Sequence, residues 1–121
     1  MSDNVILDLT RLREAFEDDT DGIVELLEMA LQTGERHITA MREGLTRREA
    51  TMVARAAHSI KGSASNIGAL EIAHVSENIE ELTRAERWSD LDRVALDLDE
   101  AYARLRERIA DYRAEVAPQP R

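Results

Sequence analysis

Residues 53–68 read VARAAHSIKGSASNIG. Wound at about 100° per residue, this stretch gathers Val53, Ala56, Ala57, Ile60, Ala64 and Ile67 into an arc of roughly 100°. That is the inward stripe of a helix in a helical core. The same winding sets His58 about 160° from the centre of the stripe, so its ring is expected in solvent. Its neighbours at i−4, i+4 and i+7 are Ala54, Gly62 and Ser65, all small. Arg55 and Lys61, three residues away on either side, bring positive charge.

The helix is expected over about 48–65, with Asn66-Ile67-Gly68 as its end and Gly68 suited to a left-handed cap. Upstream, Ile23, Leu27, Ala30, Leu31, Ile38, Met41 and Leu45 recur by threes and fours, which predicts a long helix over about 23–45. Gly34 falls within that stripe, where it would let a neighbour approach closely or stand as a tolerated weak point. The cluster Asp18-Asp19-Thr20-Asp21-Gly22 reads as a stop followed by a cap. Before it, a polar start turns apolar at Val5-Ile6-Leu7, and a short helix over about 8–16 carries Leu9, Leu12 and Phe16 on one side.

Downstream, a helix over about 70–84 turns Ile72, Val75, Ile79 and Leu82 inward. A last helix carries Leu91, Val94, Leu98, Ala101, Leu105, Ile109 and Tyr112, and Ser89 with Asp92 resembles a capping box at its start. Four amphipathic helices on short connections imply an all-α, antiparallel up-down four-helix bundle with a short N-terminal lid helix. The expected division of the single domain 1–121 is a lid at 8–17, a bundle at 22–114 and a frayed, proline-bearing tail at 115–121.

The totals agree with such a domain. The chain has 121 residues, no cysteine and only 3% aromatic residues, which favours helices and a reducing compartment such as the cytoplasm. A formal net charge of −9 disfavours nucleic acid and anionic membranes as partners. No apolar run approaches the roughly 20 residues of a membrane helix.

His58 is the residue that asks for a chemical reason. A glycine in an exposed helix interior costs about 1 kcal/mol relative to alanine, so Gly62 needs a justification beyond the helix. An uncrowded imidazole with a cation alongside suits a histidine that accepts a phosphoryl group and passes it on, with Lys61 offsetting the charge. The plain alternative is a solvated surface histidine. His37 reads as a boundary residue at the edge of its stripe, and His74 as solvated. Glu71 and His74 form one Glu-x-x-His element, whereas a di-iron bundle needs two and further inward glutamates. No phosphate loop closes on Gly62–Gly68, and Ser59 points away from His58, so neither nucleotide binding nor hydrolysis is supported.

The run Ala57-His58-Ser59-Ile60-Lys61-Gly62-Ser63-Ala64, followed by Asn66-Ile67-Gly68, resembles the signature of histidine-containing phosphotransfer (HPt) domains of two-component phosphorelays. The resemblance extends from the lid through the bundle. It implies that His58 is phosphorylated on Nε2, that Lys61 sits beside the phosphoryl group, and that Gly62 leaves room for a partner's active site. It also implies that the acidic residue 22 positions after the histidine, Glu80, holds Nδ1. An i,i+4 pair of Glu80 with Arg84 is the alternative. Glu77 stands where some members carry a second histidine, so the resemblance implies no proton role at that position.

The resemblance further implies a phosphocarrier rather than an enzyme, binding no cofactor or metal itself. The partners would be response-regulator receiver domains, a hybrid histidine kinase, or both, with the receiver supplying the aspartate and Mg²⁺. Docking would use Ala54, Arg55, Lys61, Gly62 and Ser65. A monomer is expected. Met1 and the proline-bearing end favour a free-standing protein over a segment of a chemotaxis-type kinase. A sensor-kinase dimerisation domain fits less well, because Ser59 rather than an acidic residue follows the histidine and no proline precedes Pro118. A helical interaction module without chemistry is the remaining reading, and it predicts that His58 is dispensable.

Overall fold

The computed structural model describes residues 3–118. Residues 1–2 of the expected polar start and 119–121 of the expected tail lie outside them. The helices are α1 (Asp3–Ile6), α2 (Thr10–Ala15), α3 (Thr20–Arg47), α4 (Ala50–Ile67), α5 (Leu70–Arg84) and α6 (Trp88–Val116), with no strand among the described residues. Helices α3 to α6 form the up-down bundle: α4 packs between α3 and α5, and α6 closes the ring against α5 and α3. Helix α1 lies against α5 and α6, and α2 against α3.

Short connections with defined caps set the antiparallel order. Asp19 caps α3, its carboxylate accepting from the Gly22 N–H at 3.3 Å. At the far end Arg48 takes a left-handed conformation (φ 54°), and the Glu49 N–H returns to the Gly44 carbonyl at 2.9 Å. Arg48 is tied down by Asp92 in a two-pronged pair of 3.0 and 2.9 Å and lies 5.4 Å over the Trp88 ring. Asp92 is therefore not part of a capping box. Helix α6 starts at Trp88 with no side-chain cap, so Ser89 lies inside the helix rather than at its N-cap, and the aspartate is engaged across the bundle end. The same helix runs through Val116, past the expected start of the tail at 115.

Gly68 closes α4 with φ +82° and also receives the lid. The Asp8 N–H donates to its carbonyl at 2.8 Å, and the Asp8 carbonyl lies where a Cβ on residue 68 would stand. The lid differs from a single helix over 8–16. The apolar Val5-Ile6-Leu7 step ends an additional turn, α1, and buries Leu7 at the bundle end. Asp8 accepts from the Thr10 N–H at 3.1 Å and starts α2 only there.

All six residues of the α4 stripe are buried, with Val53 and Ile60 fully so. Burying a side chain of that size contributes about 1.5–3 kcal/mol. In α5 the inward set differs from the expectation: Ile72 and Ile79 are buried, but Val75 and Leu82 are only half-buried. Glu71, Ser76 and Thr83 take buried places. Thr83 returns its hydroxyl to the Ile79 carbonyl at 2.6 Å, and Glu71 makes a two-pronged pair with Arg104 of α6 at 3.0 and 3.1 Å.

Gly34 proves to be a close-approach site. A Cβ there would lie 2.5–2.9 Å from the Tyr102 hydroxyl and ring of α6. Burial pushes the Tyr102 phenol up to about 12, partly offset by Arg106, so it stays a neutral packing group. Gly34→Ala is expected to destabilise by about 1 kcal/mol or more, overpacking against a rigid ring outweighing the gain in helix propensity. Chemical denaturation measures this as a lower midpoint.

Candidate functional site

Helix α4 presents His58 on the face opposite its buried stripe, and 75% of the side chain is exposed. Two turns of buried alanine and isoleucine on either side fix the backbone, so the ring projects from a rigid base. One turn on, Gly62 is exposed, and a Cβ built there meets nothing within 4 Å. The fold thus gives no reason for glycine at this position, in contrast to Gly34 and Gly68. Gly62→Ala is accordingly expected to stabilise the protein by about 1 kcal/mol, opposite in sign to Gly34→Ala.

Lys61 flanks the ring towards α5, and its side chain is 32% exposed. Its ammonium lies 2.9 Å from Glu80 Oε1, and that glutamate is only 13% exposed. His58 Nδ1 is 3.8 Å from the same oxygen, too far for a hydrogen bond. Glu80 is thus gathered with His58 and Lys61, but it pairs with the lysine rather than with Nδ1 or with Arg84. The lysine end points at this carboxylate rather than into the open space beside Nε2.

Arg55 and Ser65 are exposed and Ala54 is half-buried, so the expected docking residues surround the ring on one surface. Towards α3, the surface dips into an open, mostly apolar groove of about 660 Å³ whose lining includes His37, Ala40, Met52, Arg55 and Ser59. Periodicity puts Met52 and Ser59 off the α4 stripe, but the groove itself depends on the placement of α3 and the connection at Glu49, which periodicity does not give. His37 is half-buried, whereas His74 and Glu77 are exposed. Glu71 is held by Arg104 rather than available beside His74, and among the described residues no three or more His, Cys, Asp or Glu gather as a metal site.

The family model for the Hpt domain matches residues 25–113, well over half of the chain. The chain belongs to the Hpt domain family. Two solved structures share its fold. Histidine-containing phosphotransfer protein B from Pseudomonas aeruginosa PAO1 has a TM-score of 0.83 at 24% identity, covering 93% of this chain and 97% of its own. The HPT domain of a sensor hybrid histidine kinase from Shewanella has a TM-score of 0.74 at 13% identity, covering 95% of this chain and 99% of its own. A search of curated proteins finds no match. This Hpt domain is therefore a histidine phosphotransfer module of two-component signalling, and such domains are phosphocarriers rather than enzymes. Among the described residues no helix is long and apolar enough to cross a membrane.

Proposed function

We propose that this Hpt domain shuttles a phosphoryl group between receiver aspartates of a two-component phosphorelay through Nε2 of His58. The observation that carries the reading is the open ring of His58 beside Gly62, whose missing side chain answers to nothing inside the protein. In the forward step the Nε2 lone pair attacks phosphorus, the bond to the aspartyl oxygen breaks, and its electrons return to the carboxylate. The proton of the ring stays on Nδ1. Reversing these bond changes delivers the group to a second aspartate.

The chain supplies a nucleophile, a nearby cation and a rigid platform, whereas loose phosphoryl transition states call for metal and several charge-stabilising donors. Those belong to the partner: a receiver bringing its aspartate, Mg²⁺ and lysine. Helix α4 suits an acidic partner pocket, since it bears Arg55 and Lys61 and no acidic residue in a chain of net charge −9. The groove beside Arg55 gives the receiver apolar surface to bury, with Ala54, Gly62 and Ser65 as the flat rim. A hybrid histidine kinase is a fitting donor, as the Shewanella neighbour is a domain of one. The protein works as a monomer in the cytoplasm, the bundle already closing its own core and the chain lacking cysteine.

Purified, phosphorylated chain mixed with fresh receiver tests the shuttle. Label is expected to pass to the receiver with Mg²⁺ present and to stay on the chain when Mg²⁺ is chelated. Label that never leaves the chain for any receiver of the organism would refute the shuttle.

A further inference from the structure

Met29 is the one large apolar side chain of α3 turned to solvent. It is 58% exposed, on a helix whose other exposed positions nearby are Glu25, Gln32 and Arg36. It takes no part in the core. Instead it stands at an open, mostly apolar furrow of about 250 Å³ between α3 and α4, whose far wall is Ser63, Asn66 and Ile67. Asn66 is one turn along α4 from Gly62 and adjoins Ser65, and all three are exposed. The furrow therefore continues the surface that surrounds His58.

Met29 also carries the most accessible sulfur among the described residues. Met41 is 1% exposed, Met52 is half-buried, and the chain has no cysteine. We propose that Met29 is an oxidation-sensitive site of the docking face, at which a peroxide forms the sulfoxide and thereby slows transfer with receivers. The inference rests on the phosphotransfer reading of His58. In the modification the Sδ lone pair attacks one peroxide oxygen, the O–O bond breaks, and water leaves. Sulfur gives up two electrons and the peroxide takes them. A dithiol, acting through methionine sulfoxide reductases, returns the two electrons; it becomes a disulfide, and the oxygen leaves as water.

The thioether is flexible and polarisable, which suits an apolar contact that adapts to a partner. The sulfoxide is polar and carries a strong acceptor. Water satisfies that oxygen in the free chain, and a receiver closing over Gly62, Ser65 and the furrow strips the water away. An acceptor buried without a donor weakens docking by about 10-fold. The fold is spared, because the side chain is exposed and outside the core.

The test treats the full chain with hydrogen peroxide, removes the oxidant with catalase, and only then adds phosphorylated receiver and Mg²⁺ at a receiver concentration below saturation. Wild type, Met29→Leu and Met52→Leu are compared. Peptide mass spectrometry should find the added oxygen on Met29 before Met52, with Met41 unmodified. Treatment should slow transfer by about 10-fold in wild type and Met52→Leu, with the denaturation midpoint unchanged. Met29→Leu should transfer at one rate before and after treatment. Reductases with dithiothreitol should remove the oxygen and restore the rate. Oxidised Met29 with undiminished transfer would overturn the proposal, as would equal slowing of Met29→Leu, protection by Met52→Leu instead, or a loss accompanied by unfolding. In each of these cases transfer by the untreated chain leaves the phosphotransfer reading standing. An untreated chain that takes no label from any receiver of the organism would overturn both.

Discussion

His58→Gln is expected to abolish phosphoryl transfer and to leave the fold untouched. The two halves of this result come from different parts of the structure. The ring is 75% exposed and accepts nothing from the core, and exposed substitutions of that kind shift stability by less than about 0.5 kcal/mol. Glutamine keeps a polar side chain of similar reach but has no lone pair able to form the N–P bond, because its amide nitrogen is delocalised into the carbonyl. Label from a phosphorylated receiver should therefore fall to background while the denaturation midpoint stays where it was. Transfer persisting in this variant would move the chemistry off His58. Lost transfer accompanied by unfolding would show that the ring has a structural duty the geometry does not reveal.

Gly62→Gln should slow transfer by about 100-fold or more, since misplacing the reacting groups by about 1 Å has effects of that order. Residue 62 lies one turn from His58 on the same exposed face, so a long side chain stands beside the ring where the partner must close in. The space around a Cβ at this position is empty in the isolated protein. The variant should therefore fold and be slightly more stable, as glutamine exceeds glycine in helix propensity by about 0.5–1 kcal/mol. A gain in stability with a loss in transfer is the mark of a glycine kept for a partner. Unchanged rates with a receiver would mean that nothing approaches the ring from this side.

These two expectations rest on the part of the chain that reads most directly. In α4 the apolar residues fall on one clean stripe, and the small or polar residues fill the rest, so periodicity alone separates Ile60 from His58. Helix α5 is less legible because its buried positions include charge. Glu71 is buried only by virtue of Arg104, 33 residues on and on another helix, and hydropathy has no means of announcing such a pair. Arg48, Trp88 and Asp92 illustrate the same limit. A capping box is a local pattern, but the bond that Asp92 makes spans 44 residues and is decided by how the bundle ends meet. Tyr102 is absent from the inward set read from the sequence, although it follows Leu98 by four and precedes Leu105 by three and is buried; its seat on Gly34 required the α3–α6 crossing. The resemblance to the family brought Glu80 to the right neighbourhood. That Lys61 rather than His58 meets its carboxylate turns on distances of 2.9 and 3.8 Å, which are set by how α4 packs on α5 and not by any local pattern.

The central claim is that Nε2 of His58 is the atom that carries the phosphoryl group. Its most direct test is phosphorus NMR on chain with ¹⁵N-labelled histidines, phosphorylated by a receiver in the presence of Mg²⁺. The account predicts one phosphoramidate resonance, coupled to Nε2 of His58 and absent from His58→Gln. A resonance coupled to His37 or His74, or to Nδ1 of His58, would contradict it, as would a chain that acquires no phosphorus at all.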